Sequence, residues 1–111
     1  MKIRELVKEM DLKVVSGELF LEREVNGGYA SDLLSDVLAN SRKGNIWITM
    51  QIHQNIIAVA SSKELSGIII VNGRCPDEET LKKAQEEKIP VMISKLFTYE
   101  IAGRLYETGI R

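Results

Sequence analysis

The sequence predicts an α/β fold in which a mostly parallel β-sheet is flanked by helices. Three short apolar runs, at residues 46–49, 67–71 and 91–93, predict buried strands. Each run is followed by a segment with apolar residues at helical spacing that is long enough to cross over the sheet. Strands that alternate with helices in this way form parallel sheets with right-handed crossovers.

The first half of the chain is predicted to contribute two helices and one strand. The first ten residues carry apolar side chains at helical spacing, and residues 13–15 predict a short strand. Residues 16–29, which include two adjacent glycines, show no period and are expected to be extended but irregular. Asp32 is expected to cap a second helix, which ends in a polar loop before Gly44.

The second half predicts three more helices, over residues 54–63, 77–87 and 98–107, and Gly109 is placed to close the last one. The run Gly-Ile-Ile-Ile-Val at residues 67–71 has no polar alternation. This pattern is typical of a central strand that is covered on both faces.

Composition and charge exclude several classes of protein. The chain has 111 residues, a formal net charge of −1, 44% hydrophobic residues, one cysteine and one histidine. A single cysteine forms no intrachain disulfide, and Cys75 with His53 cannot complete a zinc site, so no metal or other cofactor is expected. No basic stripe indicates a nucleic-acid partner, and no run of about 20 apolar residues indicates a membrane span. We expect a cytoplasmic protein, because the first residues also lack the apolar core of a signal peptide.

Candidate ligand-binding residues follow the predicted strands. In an open parallel sheet, ligands bind at the carboxyl ends of the strands, where loops and helix N-termini converge and offer backbone N–H groups. Asn72 and Gly73 leave the central strand as a pair suited to positive φ, which lets the backbone approach an anionic or amide-bearing ligand. The predicted ligand-binding residues are Thr49, Gln51, His53, Asn72, Gly73, Ser94 and Thr98. The alternative is that these turns only connect strands to helices.

Cys75 and His53 are the two side chains that could take part in catalysis. Cys75 lies between Arg74 and Pro76 at a predicted helix N-terminus, where the cation and the helix dipole both favour a thiolate. The alternative to a reactive thiol is that Cys75 is a small, partly buried side chain without a neighbouring base. His53 is either a general base or hydrogen-bond donor to a ligand, or an exposed residue at a helix start. Because the chain has no nucleophile elbow and no P-loop, we expect no enzyme activity, with a thiol enzyme built on Cys75 as the remaining alternative.

Two segments resemble a known family. Residues 24–38 read E-V-N-G-G-Y-A-S-D-L-L-S-D-V-L, similar to the glycine-rich segment and Asp-Leu-Leu-Ser helix of small stand-alone DRTGG-domain proteins. Residues 67–92 are similar to that family's strand, glycine turn, helix and Ile-Pro-Val strand. The likeness covers nearly the whole chain, so residues 1–111 are expected to form a single DRTGG-like domain.

The resemblance implies an α/β domain similar to the N-terminal domain of HPr kinase/phosphorylase, with a regulatory or oligomerising role and no chemistry of its own. We therefore expect a regulatory module that self-associates, most simply as a dimer, and binds a small ligand such as a nucleotide. The alternative is a protein-interaction domain without a ligand. The expected interface residues are Gly27, Gly28, Tyr29 and Asp32, with the helix that follows them. Stand-alone relatives are encoded near iron hydrogenase and related redox genes, which implies a redox-enzyme partner.

The chain departs from the family's two naming motifs. After Thr49 it reads M-Q-I-H-Q-N-I, without the Asp-Arg pair, and the Thr-Gly-Gly position reads Val71-Asn72-Gly73. If those residues hold a ligand in the relatives, this chain binds another ligand or none.

Overall fold

The chain folds around one five-stranded β-sheet with helices on both faces. The computed structural model describes residues 1–111. The strands are β1 (Lys13–Ser16), β2 (Gly27–Ala30), β3 (Asn45–Thr49), β4 (Gly67–Ile70) and β5 (Val91–Ile93). The helices are α1 (Ile3–Glu9), α2 (Leu34–Asn40), α3 (Asn55–Ser62), α4 (Glu78–Glu87) and α5 (Thr98–Glu107), and a short 3-10 helix covers Glu18–Phe20. The predicted α/β class is confirmed.

The sheet is parallel except at one edge. Its strand order is β1-β5-β4-β3-β2, with β2 to β5 mutually parallel and β1 antiparallel to β5. Strand β4 is central and all four of its residues are buried, as the unbroken apolar run predicts. Because the four parallel strands point the same way, their carboxyl ends lie along one edge of the sheet, which we call the carboxyl rim.

Two apolar cores lie on opposite faces of the sheet. Ile46 and Ile48 of β3 pack with apolar residues of α1 and α5 on one face. Trp47, between them in sequence, packs with apolar residues of α2, α3 and α4 on the other. Alternate residues of a strand point to opposite faces, so β3 contributes to both cores. None of the helices combines the length and the apolar character that a membrane span requires.

Strand β2 lies in the segment that was expected to be irregular. Gly27 to Ala30 pair in parallel with Asn45 to Ile48 of β3, and β2 forms one edge of the sheet. The glycine pair is a poor strand sequence by itself. Pairing requires little side-chain volume at its start, because a Cβ on Gly27 would lie 3.0 Å from Nδ2 of Asn45.

The prediction that Asp32 caps the second helix is wrong. Helix α2 begins at Leu34, and Leu33 occupies the N-cap position without a side-chain hydrogen bond to the helix. The carboxylate of Asp32 instead accepts hydrogen bonds from the turn after β3. Donors at the end of β3, the Thr49 hydroxyl and the Met50 N–H, therefore hold the Asp32 carboxylate in place of the N–H groups of α2.

Candidate functional site at the carboxyl rim

The carboxyl rim brings together turns that are far apart in sequence. Residues 31–33 follow β2, residues 50–54 follow β3, residues 71–77 follow β4, and residues 94–97 follow β5. Helices α2, α3, α4 and α5 all begin at this edge. The sequence prediction that polar turns meet at one edge of a parallel sheet is therefore confirmed at the level of the fold.

The turns after β2 and β3 are joined through Asp32 and Thr49. Oδ1 of Asp32 accepts hydrogen bonds from Oγ1 of Thr49 and from the backbone N–H of Met50, each at 2.8 Å. Oγ1 of Thr49 in turn accepts from the N–H of Gln51 at 3.1 Å. Thr49 is fully buried. Its buried hydroxyl thus fixes the position of the turn that follows β3.

Gln51 adds a second connection between the same turns, because its Nε2 donates to the backbone oxygen of Asp32 at 3.0 Å. The side chain is half-buried and its amide oxygen has no partner within the chain. Gln51 therefore combines a fixed amide group with a free acceptor at the surface.

The turns after β4 and β5 are joined by backbone hydrogen bonds. The N–H of Asn72 donates to the oxygen of Leu96, and the N–H of Gly73 donates to the oxygen of Ser94, both at 2.8 Å. Asn72 and Gly73 adopt φ values of 63° and 64°, so the predicted positive φ is confirmed. Their N–H groups, however, are used within the chain, so this turn offers a ligand its exposed Asn72 side chain and the open space in front of Gly73.

Charged side chains surround these turns. Nη1 of Arg74 donates to the backbone oxygen of Met50 at 2.6 Å, which holds the guanidinium across the gap between β4 and β3. Nδ1 of His53 lies 3.5 Å from Oδ2 of Asp77, in an ion pair that is charged only when the imidazole is protonated. Lys95 is exposed in the turn after β5. The rim therefore carries cations beside two carboxylates, Asp32 and Asp77.

Asp77 is held in its charged form by the start of α4. Hydrogen bonds from the side chain and backbone of Thr80 lower the pKa of Asp77 below its ordinary value, and His53 lowers it further. The Thr80 hydroxyl also lies 2.8 Å from the backbone oxygen of Ile52. Helix α4 is thereby tied to the turn after β3.

The other helices of the rim start differently. The side chain of Asp77 caps α4, whereas α3 and α5 have no side-chain cap hydrogen bond at Gln54 and Phe97. At the start of α3 the N–H groups of Ile56 and Ile57 donate to the backbone oxygens of His53 and Gln54, whereas the first three N–H groups of α5 have no partner within the chain. Free N–H groups at a helix start can bind other acceptors, and the helix dipole favours negative charge there. The rim thus presents three helix N-termini without a side-chain cap, those of α2, α3 and α5, and the start of α5 follows Lys95 in the sequence.

The structure places the predicted ligand-binding residues in two groups. Thr49 and Ser94 are buried and support the turns. The remaining five line the surface of the rim: Gln51, His53, Asn72, Gly73 and Thr98. Arg74, Lys95 and the exposed Phe97 lie in the same turns but were not among the predicted ligand-binding residues. The signal was their position directly after predicted strands, where any polar or aromatic side chain reaches the same edge.

Cys75 is exposed at the rim as a free cysteine. No His, Cys or carboxylate hydrogen bond to its thiol is present, and no group of three or more His, Cys, Asp or Glu residues could hold a metal ion. His53 has Asp77 as its neighbour.

Of the residues predicted to form an interface, Gly27, Gly28 and Tyr29 lie in β2 at the edge of the sheet, and Asp32 lies in the turn after it. The side chains of Tyr29 and Asp32 are hydrogen-bonded within the chain. The Tyr29 hydroxyl contacts both carboxylate oxygens of Asp36 at 2.8 and 2.9 Å. Hydrogen bonds from Asn40 and then Tyr29 lower the pKa of Asp36, and the bond to Asp36 raises the pKa of Tyr29. Gly27 and Gly28 border an open cavity of about 420 Å³.

Comparisons with known proteins agree with this architecture. The sequence matches the DRTGG domain family over residues 5–108. The fold is similar to a crystal structure of the CBS and DRTGG domains of the regulatory region of Clostridium perfringens pyrophosphatase, complexed with its activator diadenosine tetraphosphate. The TM-score is 0.71 at 16% identity, over 94% of this chain and 45% of that one, so the chain spans less than half of that structure. No curated protein shows significant sequence similarity to the chain.

Proposed function

The chain belongs to the DRTGG domain family, and on this premise we propose that it is a non-catalytic regulatory module whose carboxyl rim binds a small phosphorylated ligand, in particular a nucleotide. The observation that carries the proposal is the convergence on one edge of four parallel strand ends and the uncapped N-terminus of α5, whose first three N–H groups have no partner within the chain. A fold of this class binds ligands where its parallel strands end.

The chemistry of the rim suits a nucleotide. Phosphate oxygens accept hydrogen bonds from helix N-termini and from cations, and Arg74 and Lys95 provide the charge. Phe97, 64% exposed, offers an aromatic ring on which a base can stack. The pyrophosphatase region of similar fold was crystallised with a dinucleotide activator, which supports testing this ligand class first.

The absence of a catalytic constellation supports a regulatory role. Cys75 has no base beside it, and His53 pairs with a carboxylate that also caps a helix. A nucleophile needs an adjacent base or a strongly favoured thiolate to act at neutral pH. The hydrogen bonds of Asp32, Thr49 and Asp77 serve to hold the turns of the rim in place, which supports a binding surface over a catalytic centre.

Titration calorimetry with AMP, ATP and diadenosine tetraphosphate tests the ligand. We expect binding that weakens with added salt, because the rim cations meet phosphate. Lys95→Gln should weaken binding about tenfold, the loss expected for one charge-assisted hydrogen bond. Lys43→Gln is the matched control, since Lys43 precedes β3 at the opposite edge of the sheet. No heat with any nucleotide or other phosphorylated metabolite, or equal effects of both variants, would reject the rim as the binding site.

A second candidate function is protein interaction through self-association. The exposed large apolar side chains favour it: Tyr99 is 93% exposed, and Leu33, Leu38 and Tyr106 are also exposed. Docking on a redox enzyme, which the family resemblance implies, stays a prediction. Co-purification from the native host followed by mass spectrometry tests that partner, and recovery of the chain without any redox enzyme would contradict it.

A further inference from the structure

Strand β2 has no partner on its outer side, which we call the β2 edge. It is the last strand of the sheet, and β3 is its only neighbour. The N–H of Ser31 donates to the oxygen of Ile48 at 3.1 Å. Alternate residues of a parallel strand bond to the same neighbour, so in the register of this pair the backbone groups of Gly28 and Ala30 point away from β3. Both residues are exposed, and the edge therefore offers donors and acceptors to one further strand.

An apolar cavity of about 190 Å³ lies beside this edge, between β2 and α5, and we call it the α5 cavity. Ile48 lies at its base, and Ala102 and Tyr106 border it from the helix. A cavity of about 150 Å³ is enough to hold a benzene molecule, so the α5 cavity has room for an aliphatic side chain. Because Gly28 and Ala30 contribute only a hydrogen and a methyl group, the cavity is open toward the β2 edge.

Gly28 is not required by the fold. Its φ is not positive, and a Cβ built on it would make ordinary contacts with Ile46, at 3.8 Å to Cγ2 and 3.9 Å to the oxygen. Glycine weakens a strand because it costs conformational entropy and packs no side chain, and it often marks a place where another backbone approaches closely. The absence of a side chain at Gly28 therefore favours an occupant that comes from outside the chain.

The other face of the β2 edge is polar. A cavity of about 420 Å³ on this face is bordered by Tyr29 and Arg42, and no Asp or Glu lines it. Arg42 takes part in no ion pair of the protein. Asp36 is the carboxylate bound to Tyr29, and it also accepts a hydrogen bond from Asn40. The unpaired guanidinium of Arg42 favours an acidic residue on this face of an incoming strand.

We propose that the β2 edge binds an extended peptide segment of a partner protein, which adds a sixth strand to the sheet. Successive side chains of a strand point to opposite faces, so the segment places apolar side chains in the α5 cavity and an acidic side chain near Arg42. In this mode of recognition, main-chain hydrogen bonds provide affinity and pockets for alternate side chains provide specificity. Gly27 is buried beside the main-chain oxygen of Arg111, so the segment pairs with residues 28–30.

A second copy of the chain fits this edge less well than a partner peptide. Three of the four residues of β2 are glycine or alanine, which bring almost no side-chain volume to the α5 cavity. The remaining residue, Tyr29, is bound to Asp36 of its own chain. The proposal therefore goes beyond both the rim ligand and self-association.

Phage display of random heptapeptides against the full chain, followed by fluorescence polarisation of the enriched peptides, tests the proposal. We expect apolar residues at alternate positions with Asp or Glu between them. Gly28→Leu should weaken binding at least tenfold, because its side chain occupies the α5 cavity. Ala58→Leu, on the exposed side of α3, is the matched control and should bind normally. Circular dichroism establishes that both variants are folded.

N-methylation of an enriched peptide tests strand addition directly. Methyl groups on the N–H groups that face β2 should abolish binding, and methyl groups on the intervening residues should not, so the losses should alternate along the peptide. Arg42→Gln should remove the preference for Asp over Asn, whereas Lys82→Gln on α4 should keep it. Losses that do not alternate would overturn strand addition, and an unchanged preference in Arg42→Gln would overturn the role of that guanidinium.

Other outcomes would also reject a partner peptide. A library that yields no peptide able to bind the wild type, or peptides that bind Gly28→Leu as well as the wild type, would overturn the proposal. A wild-type dimer in sedimentation that Gly28→Leu dissociates, without any peptide bound, would assign the β2 edge to a second copy. Calorimetry with nucleotides decides the rim ligand separately from all of these results.

Discussion

The carboxylate of Asp32 and the hydroxyl of Thr49, 17 residues apart in sequence, meet at 2.8 Å at the carboxyl rim. One oxygen of Asp32 also accepts the N–H of Met50, and the same Thr49 hydroxyl accepts the N–H of Gln51. The buried Thr49 therefore fixes the turn after β2 relative to the end of β3. This connection holds the surface on which the proposed ligand would rest.

Thr49→Val should destabilise the protein by about 1 to 3 kcal/mol, because it leaves the N–H of Gln51 without its acceptor and removes one of the two donors to Asp32. Valine fills nearly the same volume, so the loss reports the hydrogen bonds. Urea unfolding measures the change in free energy. Thr49→Ser keeps the hydroxyl, so its free energy of unfolding should fall clearly less. Equal losses of stability in both variants would contradict the assigned role.

Asn40→Ala should raise the pKa of Asp36 toward its ordinary value, and Tyr29→Phe should raise it as well, since the hydrogen bonds of these two side chains hold it down. NMR titration of the Asp36 carboxyl measures both. A depressed carboxyl pKa contributes stability at pH above its unfolded value of about 3.9, and that contribution is lost as the pH falls through the folded value.

The sign is opposite for Tyr29, whose pKa is raised by the hydrogen bond to Asp36. Its contribution to stability is present below the unfolded value of about 10 and is lost as the pH rises through the folded value. Wild type should therefore lose more stability than Tyr29→Phe at both the acid and the alkaline end. Parallel pH profiles of the two proteins would show that the pair does not contribute.

Gly17→Ala should cost more than about 3 kcal/mol, because strained backbone and overpacking act together. Gly17 has a φ of 76°, and a Cβ there would lie 2.5 Å from the Cα of Pro90. Gly109→Ala is the matched control: its φ is 98°, but its Cβ would meet nothing within 4 Å. We expect about 1 to 2 kcal/mol for Gly109→Ala, the strain alone, from urea unfolding. Equal losses would show that the contact with Pro90 relaxes freely.

Asp77→Ala should lower the melting temperature more than Asp77→Asn. Asparagine can still accept the N–H of Thr80 and cap α4, whereas alanine cannot. The loss in each variant relative to wild type should shrink at acid pH, since the pKa of Asp77 is lowered in the folded wild type and protonation there removes the charge that its hydrogen bonds favour. A thermal melt series from neutral to acid pH measures this.

The buried strands were predictable because they require no partner to be recognised. The apolar run of β4 and the helix spacing of α3, α4 and α5 follow from burial alone, and the structure agrees with them within one or two residues. The polar residues after these strands were predictable for the same reason, since parallel strand ends must share an edge.

Strand β2 and the role of Asp32 were not predictable in this way. Gly27 to Ala30 have no strand-like pattern and become a strand only because β3 pairs with them. Asp32 suits a helix cap equally well by residue type, and only the nearby Thr49 decides against it.

The sequence alone determined the α/β class, the parallel arrangement and the edge where polar turns gather, because hydrophobic periodicity dictates which faces must be buried. Only the tertiary structure decided which polar groups form hydrogen bonds within the protein and which remain free. Hydrogen bonds between turns depend on distances across strands, as at Asn72 and Gly73, whose N–H groups donate to the next turn. Local sequence carries no information on such distances.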